Sequence, residues 1–275
     1  MWKLMTENMK IFSIKNSFDG IDIPVVLFGA SNDGINKKAY VFFHGLGTDK
    51  YEYLNFYELL GNRLSLDGHR VVCFDARCHG DSDQPFNEFT LSNLISDGIE
   101  VIKWVKRHLM VESLSLFGTS FGAIPAICIA SLFPELITDL KLLAPVSDFE
   151  KLYTQPITKA RADKYNGLLE KVILNAGYVD ITDRIKFNRT LVTEFALIKI
   201  DEILSKLNLP TDIMHGTSDS AIPIILSETA EKQNPPIALH TFNNMDHGWM
   251  ECGDESGYNP QSLNNIERII KILQS

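Results

Sequence analysis

Ser113-Leu114-Ser115-Leu116-Phe117, followed by Gly118-Thr119-Ser120-Phe121-Gly122, is the stretch on which the reading of this chain turns. The first five residues have the short apolar run of a buried strand, and a helical pattern runs from Ser120 to about Leu132. A Gly-x-Ser-x-Gly set between a strand and a helix makes a sharp turn that lifts the serine out of the chain. Glycine is needed on either side because such a turn brings backbone segments close enough for a Cβ to collide. The helix then aims its unpaired N–H groups and positive dipole end at charge developing on a nearby oxygen. A glycine-rich turn with an incidental serine is the bland alternative. The strand–turn–helix context favours Ser120 as a presented nucleophile.

On either side of this stretch, strand-like and helix-like segments alternate, the pattern of a parallel sheet covered by helices. Strands are expected at Ala39–Phe43, Arg70–Asp75, Leu140–Ala144, Thr211–His215 and Ile237–Phe242. Helices are expected from about Tyr51 to Leu66, after Thr90, over Ile224–Gln233 and over Pro260–Gln274. The first 30 residues fit an antiparallel lead-in turning at Phe18-Asp19-Gly20. Between Val146 and Leu209 the alternation stops and only helical spacing is visible, as at Ile200, Ile203, Leu204 and Leu207. The expected fold class is therefore α/β: a mostly parallel central sheet flanked by helices, with a helical cap insertion. Residues 1–145 and 210–275 form the core domain in this reading, and 146–209 the cap.

Composition narrows the function. The 275 residues carry 35 acidic and 26 basic side chains, a formal charge of −9. An acidic surface argues against a nucleic-acid partner, whose phosphates are held by Lys and Arg. No stretch approaches the ~20 apolar residues of a membrane span, and the start lacks a signal-peptide apolar region. Four cysteines, Cys73, Cys78, Cys128 and Cys252, have no Cys-x-x-Cys spacing and read as reduced thiols of a cytoplasmic protein. Asp75, His79, Asp81 and Asp83 fit neither calcium-loop nor helical zinc spacing, so no metal is expected. No phosphate loop or dinucleotide fingerprint is present, so no cofactor is expected. The oligomeric state is left open.

Four motifs in chain order resemble those of the α/β-hydrolase fold family: His44-Gly45-Leu46-Gly47, the turn at Ser120, His215-Gly216-Thr217-Ser218-Asp219 and Asp246-His247-Gly248. The similarity covers the chain from about Lys38 to Ser275 and is nearest to esterases, acylglycerol lipases and cinnamoyl-type esterases with a helical cap. Asp75-Ala76-Arg77-Cys78-His79-Gly80-Asp81-Ser82 is similar to the family's post-strand loop, but Cys78 stands where glycine is usual.

A serine hydroxyl needs a histidine base within hydrogen-bond reach. Position on the expected strand ends leaves His79 and His247 as the candidates, and the resemblance implies His247. It likewise implies Asp219 as the acid, giving the order Ser120, Asp219, His247. Asp148, one strand earlier, and Asp246, beside the base, are the alternatives. Two N–H groups must meet an oxyanion; Phe121, after the nucleophile, and Leu46, after His44-Gly45, are the expected donors. The implied activity is a cofactor-free serine hydrolase cleaving small-molecule carboxylic esters with short, medium or aromatic acyl groups through an acyl-enzyme. A peptidase, thioesterase or acyltransferase with the same machinery, or a silent binding module of this fold, are the competing readings. Tyr153, Tyr165, Tyr178, Phe187 and Phe195 are the cap aromatics available to line a pocket, with core packing the bland role for each.

Overall fold

The computed structural model describes residues 8–29, 36–182 and 185–275. In chain order the elements are β1 (Met9–Lys15), β2 (Asp22–Phe28), β3 (Asn36–Phe43), α1 (Phe56–Leu66), β4 (Arg70–Phe74), α2 (Leu91–His108), β5 (Val111–Thr119), α3 (Ala123–Leu132) and β6 (Asp139–Leu143). Then follow α4 (Lys159–Tyr165), β7 (Tyr178–Asp180), β8 (Lys186–Asn188), α5 (Arg189–Leu197), α6 (Ile200–Ser205), β9 (Thr211–Gly216), α7 (Ile225–Gln233), β10 (Ile237–Phe242) and α8 (Pro260–Gln274). Eight strands form one sheet in the order β1-β2-β4-β3-β5-β6-β9-β10. β2 runs antiparallel to β1 and β4, and the remaining pairs are parallel.

The sheet is covered on both faces, which is why its strands read as continuous apolar runs rather than alternating ones. Along β3, Val41 and Phe43 join the cluster that includes Val101 of α2 and Ile127 of α3. Tyr40 and Phe42 join the opposite cluster with Leu60 of α1 and Ile269 of α8. The carboxyl ends of β3, β5, β9 and β10 consequently lie along one edge, where the loops of a parallel sheet collect ligands.

Some expectations shift. The helix after His44-Gly45 begins at Phe56, not near Tyr51, because Glu52, Leu54 and Asn55 have φ of 62°, 51° and 57°, outside the right-handed helical region. The α3 helix starts at Ala123, after a single tight turn over Ser120–Gly122. The antiparallel lead-in forms as β1 and β2, closed by a Gly20 N–H to Asn16 carbonyl bond of 2.8 Å, with Gly20 at φ 79°. Between β6 and β9 the chain is not wholly helical. β7 and β8 pair antiparallel over three residues each, too short to give a periodic signal. α6 packs against α3 and α7 beside the sheet.

Candidate active site

Ser120 stands at the end of β5 with φ 53°, the left-handed region that disfavours a side chain. The two glycines of its motif answer to contacts. A Cβ on Gly118 would lie 2.7 Å from Ala123 Cα, and one on Gly122 would lie 2.1 Å from the Phe43 carbonyl oxygen. The tight turn thus presses against the end of β3, and only glycine fits there.

His247 follows β10, and its Nε2 lies 3.0 Å from Ser120 Oγ. Its Nδ1 lies 2.9 Å from Asp219 Oδ2. An ionised carboxylate only accepts, so Nδ1–H donates to Asp219 and Nε2 accepts from the Ser120 hydroxyl. Asp219 is held on every side. Its Oδ1 accepts the Ala221 and Ile222 N–H groups at 2.8 and 2.7 Å. His215 Nε2 also comes within 3.1 Å of Oδ2. Burial alone would raise the Asp219 pKa, but the hydrogen bonds from His215, His247 and Ile222 outweigh it and hold the carboxyl well below its usual range. His215 is fully buried; its Nε2 faces the acceptors Ile222 O and Asp219, and its Nδ1 accepts from Ser227.

Asp246 does different work. Its Oδ1 accepts from Ser220 N–H, Ser220 Oγ and His247 N–H at 2.9, 2.9 and 2.8 Å. It ties the loop after β9 to the loop after β10. Gly216 permits that approach, since a Cβ there would lie 2.1 Å from the Met245 carbonyl oxygen. Asp148 instead pairs with Lys151 Nζ at 2.7 Å and accepts its N–H at 2.9 Å. His79 is buried, with Nδ1 2.9 Å from the Arg77 carbonyl and its ring against His44 and Phe89. Cys78 sits at φ 68°, which accounts for glycine at this position in similar loops. Its thiol donates to the Pro85 carbonyl, and burial pushes its pKa up to about 12. Asp75 and Asp81 both engage Lys50 Nζ at 2.7 Å.

The loop after β3 is wired by its own residues. His44 Nε2 accepts the Ala76 N–H at 3.0 Å, so Nδ1 carries the proton and donates to the Gly45 carbonyl at 2.8 Å. Burial lowers the His44 pKa to about 4, keeping the ring neutral. Thr48 Oγ1 donates to the same carbonyl at 2.9 Å. A trans peptide plane puts C=O and N–H on opposite sides, so fixing the Gly45 carbonyl fixes where the Leu46 N–H points. Gly45 itself lies against Ser120: a Cβ on it would be 3.5 Å from Ser120 Cβ. The Phe121 N–H belongs to the first turn after Ser120, where helical N–H groups have no intrahelical partner.

A cleft of about 300 Å³ opens between these parts, lined by Leu46, Glu52, Phe56, Ser120, His247 and Trp249, among others. Phe56 and Trp249 stack with centroids 5.3 Å apart. Sequence reasoning missed Glu52, Trp249 and the second imidazole on Asp219. Glu52 lies inside a helix-like run, and His215 ends a strand before glycine, so no local pattern marks either. Chemically, the arrangement can remove a proton from Ser120 through His247 and hold the resulting imidazolium against Asp219.

Comparisons agree with this architecture. Residues 38–166 match the family model described as alpha/beta hydrolase fold. The chain is similar to the Est1E structure from Butyrivibrio proteoclasticus with ferulic acid bound, at 19% identity and a TM-score of 0.76, over 96% of this chain and 98% of that one. It is also similar to the esterase EaEST from Exiguobacterium antarcticum, at 20% identity, TM-score 0.67, over 96% and 99% of the two chains. A third, the Pyrococcus furiosus esterase Pf2001, matches at 16% identity and a TM-score of 0.67, over 97% of this chain and 90% of that one. The chain has the α/β-hydrolase fold.

Proposed function

We propose that this chain is a serine hydrolase of small carboxylic esters, with Ser120 as nucleophile, His247 as general base and acid, and Asp219 as the residue orienting His247. The observation that carries the reading is the unbroken hydrogen-bond chain from Ser120 Oγ through both His247 nitrogens to Asp219. Ser120 Oγ attacks the ester carbonyl while His247 takes its proton. The Leu46 and Phe121 N–H groups receive the oxyanion. His247 then protonates the departing alcohol, leaving an acyl-Ser120. Water, deprotonated by His247, attacks that ester and releases the acid. None of these steps calls on a metal or organic cofactor.

The acyl group in this reading is short, medium or aromatic. A cleft of about 300 Å³ flanked by Phe56 and Trp249 suits a single ring or a short chain, and the similar Est1E holds ferulic acid. Residues 146–209 are the proposed cap. No helix among the described residues is long and apolar enough to cross a membrane; a cytoplasmic location belongs to the proposal. The test pairs fluorophosphonate labelling with p-nitrophenyl esters from acetyl to palmitoyl and an aryl ester series. The expected result is an adduct on Ser120 and a kcat/KM maximum at short, medium or aromatic acyl groups. A maximum at palmitoyl with activation by lipid micelles overturns the substrate class. Absence of both adduct and turnover overturns the enzyme.

A further inference from the structure

Glu52 lines the same cleft as Ser120, in a backbone conformation that glutamate rarely adopts. Its φ of 62° and ψ of 175° fall in a region occupied almost only by glycine. A residue stays there when its surroundings over-determine it, and here the determinant is the carboxylate. Oε2 accepts the Gly45 N–H at 2.6 Å, and Oε1 accepts the Tyr53 N–H at 3.1 Å. Thr48, whose hydroxyl donates to the Gly45 carbonyl at 2.9 Å, also lies beside the Glu52 carboxyl. Both oxygens come within 3.5 Å of the point where a Gly45 Cβ would sit, the same point that lies 3.5 Å from Ser120 Cβ. Burial pushes the Glu52 pKa up, while the Gly45 and Tyr53 N–H groups, Thr48 and His247 pull it back.

We propose that Glu52 is a positioning residue for the oxyanion loop. It holds the Gly45 N–H on one side while His44 and Thr48 hold the Gly45 carbonyl on the other. The two peptides flanking Gly45 are thereby locked, and a flip that would turn the Leu46 N–H away from Ser120 is blocked. Without the carboxylate the Gly45 N–H loses its acceptor and the loop gains freedom to rotate. The backbone strain at Glu52 is the cost of bringing an acidic side chain back onto a loop seven residues upstream. This inference rests on the esterase reading for its catalytic consequence and on geometry alone for the hold.

Three variants separate the possibilities: Glu52→Gln, whose amide oxygen still accepts the Gly45 N–H; Glu52→Ala, which removes the acceptor; and Glu52→Gly, which removes it while relieving the φ/ψ strain. Expected for Ala and Gly is a fall in kcat of about 10- to 100-fold, less than complete loss of an oxyanion donor, with KM within twofold. Affinity for a trifluoromethyl ketone, which forms a tetrahedral oxyanion on serine, falls in parallel. Gln stays within about threefold of the parent by the same reasoning, and the Tm of Glu52→Gly is held or raised. Amide exchange over residues 44–49 accelerates in the Ala and Gly variants only. Wild-type kcat in Glu52→Gly overturns the proposal. So does a rise in KM at constant kcat, which marks a substrate contact, or a Gln variant as slow as Ala, which makes charge the cause. If the parent protein turns over no ester and Ser120 takes no fluorophosphonate, the esterase reading falls. Faster exchange at 44–49 in Ala and Gly still supports the hold in that case, and unchanged exchange overturns it.

Discussion

Two regions meet near Ser120 and spend their aromatic side chains differently. The core loops, residues 45–56 after β3 and 247–250 after β10, turn Tyr53, Phe56, Trp249 and Met250 toward the cleft. The insertion, residues 146–209, turns its rings inward except Tyr178, which is exposed and lies against Phe86. Phe149 stacks on Phe195 at 4.1 Å, Tyr153 meets Tyr165 at 4.9 Å and Phe187 at 5.3 Å, and both Phe187 and Phe195 touch Phe121. No described residue of the insertion is among those lining the cleft. Thr182 and Ile185 of the insertion instead line a separate recess of about 310 Å³ together with Thr48 and His79. A segment that leaves the sheet must first bury enough apolar surface to stay attached, and its rings are consumed in doing so. The anchoring extends to the loop after β9, where Arg161 Nε donates to the Ala221 carbonyl at 2.8 Å.

The largest effect should separate two aspartates, one on the core loop after β9 and one in the insertion. Asp219→Asn presents an amide to His247 and favours the wrong tautomer, so kcat should fall on the order of 10⁴-fold. Asp148→Asn keeps an oxygen for the Lys151 N–H and loses only the charge pair with the partly exposed Lys151 Nζ, so kcat should change less than about threefold. Steady-state kinetics on one ester decide it, and a collapse at Asp148 with Asp219 spared moves the acid one strand earlier.

A second contrast sets Trp249→Ala against Leu191→Ala. Leu191 is fully buried on α5, and its truncation should cost about 2–5 kcal/mol in urea unfolding while the acyl-length profile of kcat/KM keeps its shape. Trp249→Ala should move that profile toward bulkier acyl groups. If Leu191→Ala shifts the maximum and Trp249→Ala does not, the insertion shapes the pocket after all.

The smallest effect is the acid response of the two regions. His44, with its pKa lowered by burial to about 4, binds no proton in the folded state where the unfolded chain, near 6.5, takes one. The unfolded state therefore gains stability as pH falls below 6.5, and the loss for the fold is complete near pH 4. Between pH 7 and 5 this amounts to about 2 kcal/mol from His44. Urea titrations of the parent and of His44→Gln should differ by that slope. The insertion's exposed Lys199–Glu150 pair should leave no comparable signature.

What the chain order alone determined was whatever depends on local steric need. Gly118 and Gly122 are demanded by approaches of 2.7 and 2.1 Å, so the turn at Ser120 was legible from five residues. The parallel sheet was legible because strands buried on both faces, such as β3 and β4, leave unbroken apolar runs. Of the hydrogen-bond chain, Ser120 was nameable from its own motif; strand ends narrowed the histidines only to His79 and His247, and the resemblance of the motifs around Asp219 and His247 singled out those two. Tertiary structure alone decided the rest. Glu52 reaches back to Gly45 because it, Leu54 and Asn55 leave the helical region, and no period in the sequence marks a left-handed φ on a non-glycine residue. His215 shares Asp219 with His247 because β9 ends beside the loop after β10, a proximity across 28 residues that spacing does not encode. The direction taken by the insertion's aromatics was likewise undetermined, since a ring that lines a cleft and a ring that packs on Phe121 are the same letter in the chain. Which one it becomes depends on which surface the folded core leaves uncovered.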